Sequence, residues 1–376
     1  MVLLATASCG ERTASARQGE ETDAAVAQWS LARAPELRIG GNDTDGGLHR
    51  VMDAVRLHDG TVAVANAGAH QIRVVAPDGR TLRDVGQEGH GPGEFQFPGW
   101  VGVRGDTLVV ADMLASRVSR FTREGTHLES ARFSEAAGLF PQVVGQYRDG
   151  TLLVAADEAV DSRKPGVVRG RTALLRLRPD GSLLDTLTLV PSSEQFATVS
   201  ADGRRFKVES LPFGRRTVMA LRNDVLVVGT GETPAVRTID AEGRTRDLLQ
   251  VTATPRPVRA ADIDAYWKNL VTAGGGPEGN DLTPPQGIPY PAALPPYSDL
   301  HLDEAGRVWV AESRLPGEWS QPATWQIFSP NGQPLAQIRL PPRSLLMDAG
   351  NDWVLLRELD ADQREIVSLY RYSVRR

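Results

Sequence analysis

Four side chains with oxygen ligands follow directly after short apolar, strand-like segments of the sequence. They are Asn66, Asp112, Asp157 and Glu312. Carboxylate and amide oxygens suit hard divalent cations such as Ca²⁺, so several of them facing inward from separate strands would form a metal site. The alternative is that each side chain caps the turn after its strand by accepting hydrogen bonds from backbone N–H groups. The first interpretation predicts a metal-dependent activity, and the second predicts a structural role.

Other groups that could do chemistry are sparse. The six histidines include no pair at the spacing that places two metal ligands on one face of a helix, and the single cysteine forms no thiolate cluster. The sequence has no GxSxG motif, so it has no nucleophile elbow of the hydrolase type. The glycine-rich segment 86–98 is followed by strand-like residues, whereas a phosphate cradle requires a following helix. We therefore predict that this segment is a connection between sheets.

Cations and aromatic residues accompany the longer segments between the strand-like runs. Loops on a rigid scaffold often carry binding residues, so we predict a ligand-binding face there. The local excess of cations favours an anionic ligand, and an ordinary solvated surface is the alternative. The aromatic residues could stack on a sugar, or they could anchor their own loops. The candidate residues are His90, Glu94, Arg163, Lys164, Arg215, Arg216, Tyr290, Tyr297, Arg314 and Trp319.

One supersecondary unit recurs along the chain. Its most regular part is a turn followed by an apolar strand, which starts at Thr61, Thr107, Thr151, Val225, Arg307 and Asn351. Three of the five intervals are 44 or 46 residues long, which is typical of a four-stranded propeller blade, and the other two contain insertions. Short strands with a period of two, separated by Asp-Gly, Glu-Gly or Asn-Gly turns, predict an all-β fold.

The last unit has no fourth strand at the C-terminus, but the segment Trp29–Gly40 looks like one. If it pairs with the last unit, the ring closes and no long sheet edge stays exposed. We therefore predict one domain over residues 29–376, a six-bladed β-propeller closed by an N-terminal strand. Its insertions at 156–171, 191–216, 255–298 and 312–324 would all lie on one face. Residues 260–271 within the longest insertion predict a short helix.

The sequence resembles a known group of propellers. The GPGEF segment at 91–95, the segment Val110–Asp112 and the third strands with RV or QIR are similar to NHL-type six-bladed propellers, and the whole chain resembles bacterial envelope proteins of that fold. Units four to six lack a GPGEF-like loop. The resemblance implies the fold and leaves the function open, because this architecture hosts hydrolases, lyases, receptors and scaffolds. A likeness to gluconolactonase-type propellers implies a hydrolase with a divalent cation over the axis, for which the four oxygen-ligand residues would be the candidates.

The N-terminus resembles the end of a bacterial lipoprotein signal. A short apolar run ends at Cys9, and polar, low-complexity sequence follows to Gln28. In such signals the cysteine is lipidated, so we predict a cell-envelope protein that is lipid-anchored at Cys9, periplasmic or secreted. Thr6 stands where leucine is usual, and no basic segment precedes the apolar run. A cytoplasmic protein is the alternative. Residues 1–28 are thus predicted to be a signal-like segment and a linker.

Charge and composition narrow the function classes. A net charge of −5 over 376 residues disfavours general nucleic-acid binding. No run of eighteen apolar residues occurs, and one cysteine allows no intramolecular disulfide. We predict a monomeric extracytoplasmic binding or interaction module without a cofactor, whose partner is a small molecule, a glycan or a protein. A lipid anchor would be its only membrane contact. The alternative is a metal-dependent hydrolase of the lactonase type that binds a divalent cation such as Ca²⁺.

Overall fold

The computed structural model describes residues 26–41, 47–138, 141–160, 165–199, 204, 206–273 and 287–375. These residues form an all-β structure with one α-helix, as the sequence predicts. The second strand of each repeat is buried along most of its length, as in the segment Val62–Asn66, because its alternating apolar side chains pack on both faces of the sheet. The described helices include none with the length and apolarity needed to cross a membrane.

The strands fall into four-stranded units that follow each other along the chain. Two strands precede them, namely β1 (Ala27–Leu31) and β2 (Leu37–Gly40). Unit 1 contains β3 (Val51–Arg56), β4 (Val62–Asn66), β5 (Gln71–Val75) and β6 (Thr81–Val85). Unit 2 contains β7 (Pro98–Arg104), β8 (Thr107–Asp112), β9 (Arg117–Thr122) and β10 (His127–Arg132). All neighbouring strands within both units are antiparallel.

Units 3 and 4 repeat this order. Unit 3 contains β11 (Gln142–Gln146), β12 (Leu152–Asp157) and, after β13 (Gly166–Val168), the strands β14 (Arg171–Leu177) and β15 (Leu183–Pro191). After β16 (Gln195–Val199) and β17 (Phe206–Ser210), unit 4 contains β18 (Val218–Arg222), β19 (Val225–Gly229), β20 (Ala235–Ile239) and β21 (Thr245–Gln250). The longest insertion then contributes α1 (Ala260–Ala273), so the predicted helix is confirmed.

The insertions contain more β-structure than the sequence predicts. Strands β13, β16 and β17 form a separate three-stranded antiparallel sheet within segments predicted to be loops. The prediction was wrong here because these strands lie outside the four-stranded repeat that guided it. The sheet is covered unevenly by its surroundings. Phe196 and Ala197 are buried, whereas Val167 and Phe206 are exposed.

The last two units are joined through the N-terminus into a nine-stranded sheet. Unit 5 contains β22 (Asp299–Leu302), β23 (Val308–Ala311), β24 (Ala323–Phe328) and β25 (Pro334–Leu340), and unit 6 contains β26 (Ser344–Ala349), β27 (Trp353–Leu359) and β28 (Glu365–Arg375). Strand β2 pairs with β28 in the register Leu37↔Leu369 and becomes the fourth strand of unit 6, as predicted. Strand β1 pairs with β28 and also runs parallel to β25, so it connects the two units.

The first strands of the units follow one another in a closed succession. Strand β3 lies next to β7, β7 next to β11, β11 next to β18, β18 next to β22, β22 next to β26, and β26 next to β3. Apolar layers fill the spaces between adjacent units. Val64 of unit 1 packs with Trp353 of unit 6, and Ile72 of unit 1 packs with Val110 and Phe121 of unit 2. Face-to-face packing of twisted sheets is the main source of burial.

The long insertions contact one another. Arg169 donates hydrogen bonds to the backbone oxygens of Ser192 at 2.8 Å and of Thr230 at 2.6 Å. The ring of Phe213 lies 5.5 Å from that of Tyr266 in α1. Arg256 donates to the Ser313 backbone oxygen at 2.9 Å. These contacts join residues from all four insertions, so we call their shared side of the molecule the insertion face.

Candidate functional site

Titratable side chains converge from the first strands of four different units. Asp53 comes from β3, Arg222 from β18, Asp299 and His301 from β22, and Asp348 from β26. We call these five residues the axial cluster, because their strands belong to the closed succession of first strands. A bulge between Val51 and Asp53 in β3, and another between Leu346 and Asp348 in β26, interrupt the regular pairing. Such bulges redirect side chains and often lie beside functional sites.

A buried ion pair forms one end of the axial cluster. Arg222 Nη1 lies 2.6 Å from Asp348 Oδ1, although their strands belong to units 4 and 6. The Asp348 side chain is 4% exposed, and its Oδ2 accepts a hydrogen bond from the Arg56 N–H at 3.0 Å. Because the buried Asp348 carboxylate is expensive to leave unpaired, this pair fixes the partly exposed Arg222 across the space between the units. Arg56 is the last residue of β3, and Arg222 is the last residue of β18. The insertions next to β18 and β22 precede these first strands, so this end of the cluster lies away from the insertion face.

His301 is held beside this pair without bonding to it. Its Nε2 atom lies 3.9 Å from Asp348 Oδ1, beyond hydrogen-bonding distance, and is buried with no partner among the described residues. Burial lowers the pKa of His301 to about 4; the Asp348 carboxylate opposes this shift, and the Arg222 guanidinium adds to it. The imidazole is therefore neutral at physiological pH. A buried polar atom without a partner is uncommon in folded proteins and marks His301 as a candidate functional group.

Two carboxyl groups of the axial cluster have raised pKa values. Burial raises the pKa of Asp53 to about 7, against the N–H groups of Val101 and Ala54, with a further contribution from the Asp348 charge. Asp299 has solvent-exposed surface. Protein nevertheless surrounds its carboxyl group, and the resulting loss of solvation raises the pKa of Asp299 to about 6.

The Asp299 end of the cluster opens towards the insertion face. Asp299 is the first residue of β22, directly after the longest insertion, and the charge of Arg216 lowers its pKa against the effect of burial. Arg216 lies just before β18 and is exposed. The side chain of Asp299 has one hydrogen bond within the described part of the chain, from the Leu300 N–H at 2.8 Å. The remaining oxygen of this carboxylate can therefore accept from a ligand.

The cluster can bind hydrogen-bond donors and can exchange a proton near neutral pH. Asp53 changes its charge near pH 7, and the neutral His301 has one ring nitrogen that donates and one that accepts. Among the described residues, no group of three or more His, Cys, Asp or Glu side chains could hold a metal ion. The arrangement offers a carboxylate oxygen and a neutral imidazole as hydrogen-bonding groups.

Solved structures resemble this arrangement of sheets. No protein-family model matches the sequence, and no curated protein matches it. A Bacteroides fragilis protein described as exported superposes with a TM-score of 0.51 at 11% identity, covering 93% of this chain and 96% of that one. A member of the DUF4221 family from Bacteroides vulgatus gives a TM-score of 0.50 at 10% identity, covering 93% and 99%. The shared feature is the fold. The described sheets are consistent with a β-propeller.

The predicted residues of the glycine-rich loop brace that loop. Glu94 accepts hydrogen bonds from the Gly91 N–H at 2.8 Å and from Gln87 Nε2 at 3.0 Å. Arg117 donates to the backbone oxygens of His90 and Gly91, at 3.0 and 3.1 Å, and also to that of Glu94. His90 is exposed, and its ring contacts Gln96. This part of the propeller-like fold is a rigid connection, and His90 alone of the two predicted residues has an exposed side chain.

The predicted cations separate into three groups. Arg163 and Lys164 lie outside the described residues. Arg215 Nε lies 2.8 Å from Glu194 Oε1, and the Glu194 side chain is 5% exposed, so its charge is already compensated. Arg216 is the predicted cation that approaches the axial cluster.

The predicted aromatic residues mostly anchor their own segments. Tyr297 is 1% exposed, and its hydroxyl donates to the Ala235 backbone oxygen at 3.0 Å; this residue therefore lies in the core and not on the predicted ligand-binding surface. The Tyr290 hydroxyl accepts a hydrogen bond from Trp267 of α1 at 2.8 Å. Arg314 stacks over the Trp319 ring at 4.8 Å. The prediction for Tyr297 was wrong because a tyrosine suits both a buried position with a partner for its hydroxyl and an exposed binding surface, and the sequence around it does not distinguish the two.

The four predicted oxygen ligands are used within their own units. Asn66 Oδ1 accepts from the His49 N–H at 2.8 Å, and Asp112 accepts from three backbone N–H groups. Asp157 accepts from the Thr172 hydroxyl, and Glu312 from Gln326 Nε2 at 3.3 Å. These contacts are those expected of turn caps and sheet-edge partners. The structure does not bring the four side chains together.

The sequence contains a signal for the axial cluster that the strand analysis missed. Asp53, Asp299 and Asp348 each precede an apolar residue within the first strand of a unit. An acid inside a short, otherwise apolar strand has to face either a polar interior space or a partner, because burying an unpaired charge is unfavourable. The sequence shows where such acids occur, but only the ring of strands shows that they meet.

The raised pKa of Asp53 makes stability depend on pH. Because the pKa is about 7 in the folded protein and near 4 in the unfolded chain, the protonated acid stabilises the fold below about pH 4, and this contribution is lost as the pH rises to about 7. We expect Asp53→Asn, which cannot ionise, to stabilise the protein by about 1–2 kcal/mol at pH 8 and to have little effect at pH 4. Urea unfolding at both pH values measures the difference.

Asp180→Asn, in an exposed turn, provides the control for this prediction. Its pKa is lowered, chiefly by hydrogen bonds from Ser182, so its substitution should give no stabilisation at pH 8. An Asp53→Asn variant with the same effect at pH 4 and pH 8 would show that Asp53 ionises normally in the folded protein.

Proposed function

We propose that this protein is an extracytoplasmic six-bladed β-propeller that acts as a binding module, and that its ligand occupies the axial cluster from the insertion face. Units 1 to 6 would be the six blades of one domain, residues 29–376. The closed succession of first strands and the pairing of β2 with β28 support this count. The GPGEF segment supports an NHL-like relationship for the first units.

The observation that carries the proposal is the convergence of polar groups from four units on the axis. Asp53, Asp299 and His301 have no side-chain ion-pair partner within hydrogen-bonding distance among the described residues. A structural network would be expected to satisfy its buried polar groups, as Asp348 and Arg222 do. His301 Nε2, which has no partner among the described residues, and the second carboxylate oxygen of Asp299 are the groups of the cluster that a ligand can pair with, as in a ligand site on a rigid scaffold.

The charges of the cluster favour a small ligand with an amino group. The charge of Asp348 is compensated by Arg222 at 2.6 Å, whereas Asp53 and Asp299 lack such a cation at that range. Their raised pKa values reflect burial of a negative charge, so a ligand ammonium group would favour ionisation of both carboxyl groups. The same oxygens accept hydrogen bonds from ligand hydroxyl groups, which keeps amino sugars within the expected class.

The insertion face would frame the entrance to this site. Arg216 lies near Asp299, and α1 packs beside Phe213 of a neighbouring insertion. Glycan or protein ligands would contact this rim before the axial cluster. The predicted residues that keep solvent exposure there include His90, Arg216, Tyr290, Arg314 and Trp319.

An extracytoplasmic location completes the proposal. The B. fragilis protein that shares this fold is described as exported. The lipoprotein-like segment ending at Cys9 supports the same location, with residues 1–28 as signal and linker. We further propose that the protein works as a monomer without a cofactor.

Isothermal titration calorimetry with putrescine, glucosamine, glucose and acetate tests the proposed ligand class. We expect the two amines to bind and Asp299→Asn to weaken their binding about tenfold, a loss comparable to one charge-assisted hydrogen bond. Asp362→Asn, in an exposed turn far along unit 6, is the matched control and should leave the affinity unchanged. Failure of both amines to bind, or equal affinity of the Asp299→Asn and Asp362→Asn variants for them, would contradict a cation-selective axial site.

A further inference from the structure

A cavity lined by residues of unit 2 lies away from the insertion face, on the side of unit 2 that packs against unit 3. Its volume is about 250 Å³, and its lining residues are Arg104, Gly105, Thr107, Val109 and Arg120. Two arginines line this cavity, and none of its lining residues is acidic. Since guanidinium groups stay charged at any physiological pH, the cavity is a concentrated positive site in a protein of net charge −5.

Arg120 is an unusual residue at this position. It pairs with Val109 across β8 and β9, so its side chain leaves the sheet towards unit 3, into a layer otherwise made of apolar residues. The side chain is only 10% exposed. Its Nη1 atom donates to Glu129 at 2.9 Å, but its Nη2 atom is buried with no hydrogen-bond partner among the described residues. A buried guanidinium group with one unpaired nitrogen is costly unless a further acceptor is supplied.

Arg104 approaches the same space from the end of β7. Its guanidinium group covers Gly150 in the turn of unit 3, because a Cβ atom built on Gly150 would lie 2.7 Å from Arg104 Nη1. Arg104 therefore bridges the gap between units 2 and 3, and the glycine makes this close approach feasible. Arg104 is exposed and forms no ion pair within the part of the chain that the structure describes.

The nearest acid in the sequence is directed elsewhere. Asp106 lies in the same turn as Arg104, but it pairs with Arg123 at 3.1 Å and lines the groove between units 1 and 2. Glu129 reaches only one edge of the Arg120 guanidinium group and is itself largely solvent-exposed. The positive charge of the cavity is thus incompletely compensated by the protein.

We propose that this cavity is a binding site for a small oxyanion, a carboxylate or a phosphate group, held between Arg104 and Arg120. Arginine forks match both groups through paired N–H···O hydrogen bonds. Arg120 lines the cavity and has an Nη2 atom without an acceptor among the described residues, and Thr107 can add a hydroxyl donor. The site is independent of the axial cluster and would accept ligands of opposite charge.

Titration with inorganic phosphate and with acetate tests this site, with sodium chloride of equal ionic strength as the reference. We expect at least one of the two oxyanions to bind with a measurable heat and to raise the unfolding temperature above that in chloride. Arg104→Gln should weaken this binding about tenfold, because one of two charge-assisted contacts is lost. Binding of only phosphate or only acetate identifies the oxyanion that the cavity selects, and either result supports the proposal.

Arg80→Gln is the matched control, since Arg80 is an exposed arginine in the hairpin turn of unit 1. It should retain the affinity of the unchanged protein, and so should Asp299→Asn in the axial cluster. If Arg80→Gln and Arg104→Gln weaken oxyanion binding equally, the anions are attracted by the overall positive charge of the surface and not by this site. If chloride and both oxyanions raise the unfolding temperature equally, the effect is general screening of charges by salt. Either result overturns the site. Arg104 is exposed, so its substitution leaves the fold intact, which unfolding curves of both variants verify.

Discussion

Replacing Asp112 by alanine is expected to lower the free energy of unfolding by about 3–5 kcal/mol. Asp112 is fully buried, and it accepts hydrogen bonds from the N–H groups of Gln96 at 2.6 Å, Phe97 at 3.1 Å and Ala115 at 2.9 Å. Alanine would leave these three donors without their acceptor in a place that water does not reach easily. Urea unfolding at pH 7 measures the loss.

Asp157→Ala separates this structural role from the metal-site interpretation. Asp157 belongs to the same predicted ligand set but is exposed and accepts from a single hydroxyl, that of Thr172. We expect its substitution to change the unfolding free energy by less than about 1 kcal/mol. If the two residues instead shared a Ca²⁺ ion, millimolar CaCl₂ would stabilise the unchanged protein, and both substitutions would abolish that stabilisation. Such a result would favour the metal-dependent hydrolase over the binding module.

Replacing Trp29 by alanine is expected to lower the free energy of unfolding by about 3–5 kcal/mol. Trp29 is 8% exposed, stacks on Tyr372 with ring centroids 4.8 Å apart, and meets Trp309 edge-on at 6.0 Å. The Arg307 guanidinium group lies 4.9 Å from the same ring. Truncation would therefore leave a cavity where β1 joins units 5 and 6.

The matched control for Trp29 is Val26→Ala in the same N-terminal segment. Val26 is 39% exposed, so its truncation should have little effect on stability. Comparison of the two variants isolates the contribution of ring closure from that of an arbitrary change near the N-terminus. A Trp29→Ala variant that unfolds at the same urea concentration as Val26→Ala would show that the N-terminal strands contribute little to the stability of the ring.

The strands themselves are specified locally. A period of two in apolar residues and a glycine in most of the hairpin turns set the strand boundaries, because both depend on neighbours a few residues away. Leu37 and Leu369 are far apart in the sequence. Their pairing was predictable because the last unit lacked a fourth strand and the N-terminal segment contained an additional strand. The helix at Ala260–Ala273 also follows from its own periodicity.

The three-stranded sheet and the roles of individual polar residues were harder to predict. Strands β13, β16 and β17 fall outside the repeat. Strand β13 pairs with β16, although β14 and β15 lie between them in the sequence. Asp112 and Asp157 are each the last residue of the second strand of their unit, yet one is buried and the other exposed. The difference arises because Asp112 contacts the loop that precedes β7, a feature of unit 2 that the repeat does not describe.

The sequence by itself determined the all-β class, the order of the strands and the closing partner, since alternation and turn chemistry act over short distances. Only the tertiary structure decided which polar side chains meet. Asp53, Arg222, Asp299, His301 and Asp348 are spread over almost three hundred residues, and bulges and the curvature of the ring bring them together on the axis. Burial and mutual charge then set their pKa values, because solvation depends on every unit that surrounds a side chain and not on its neighbours in sequence.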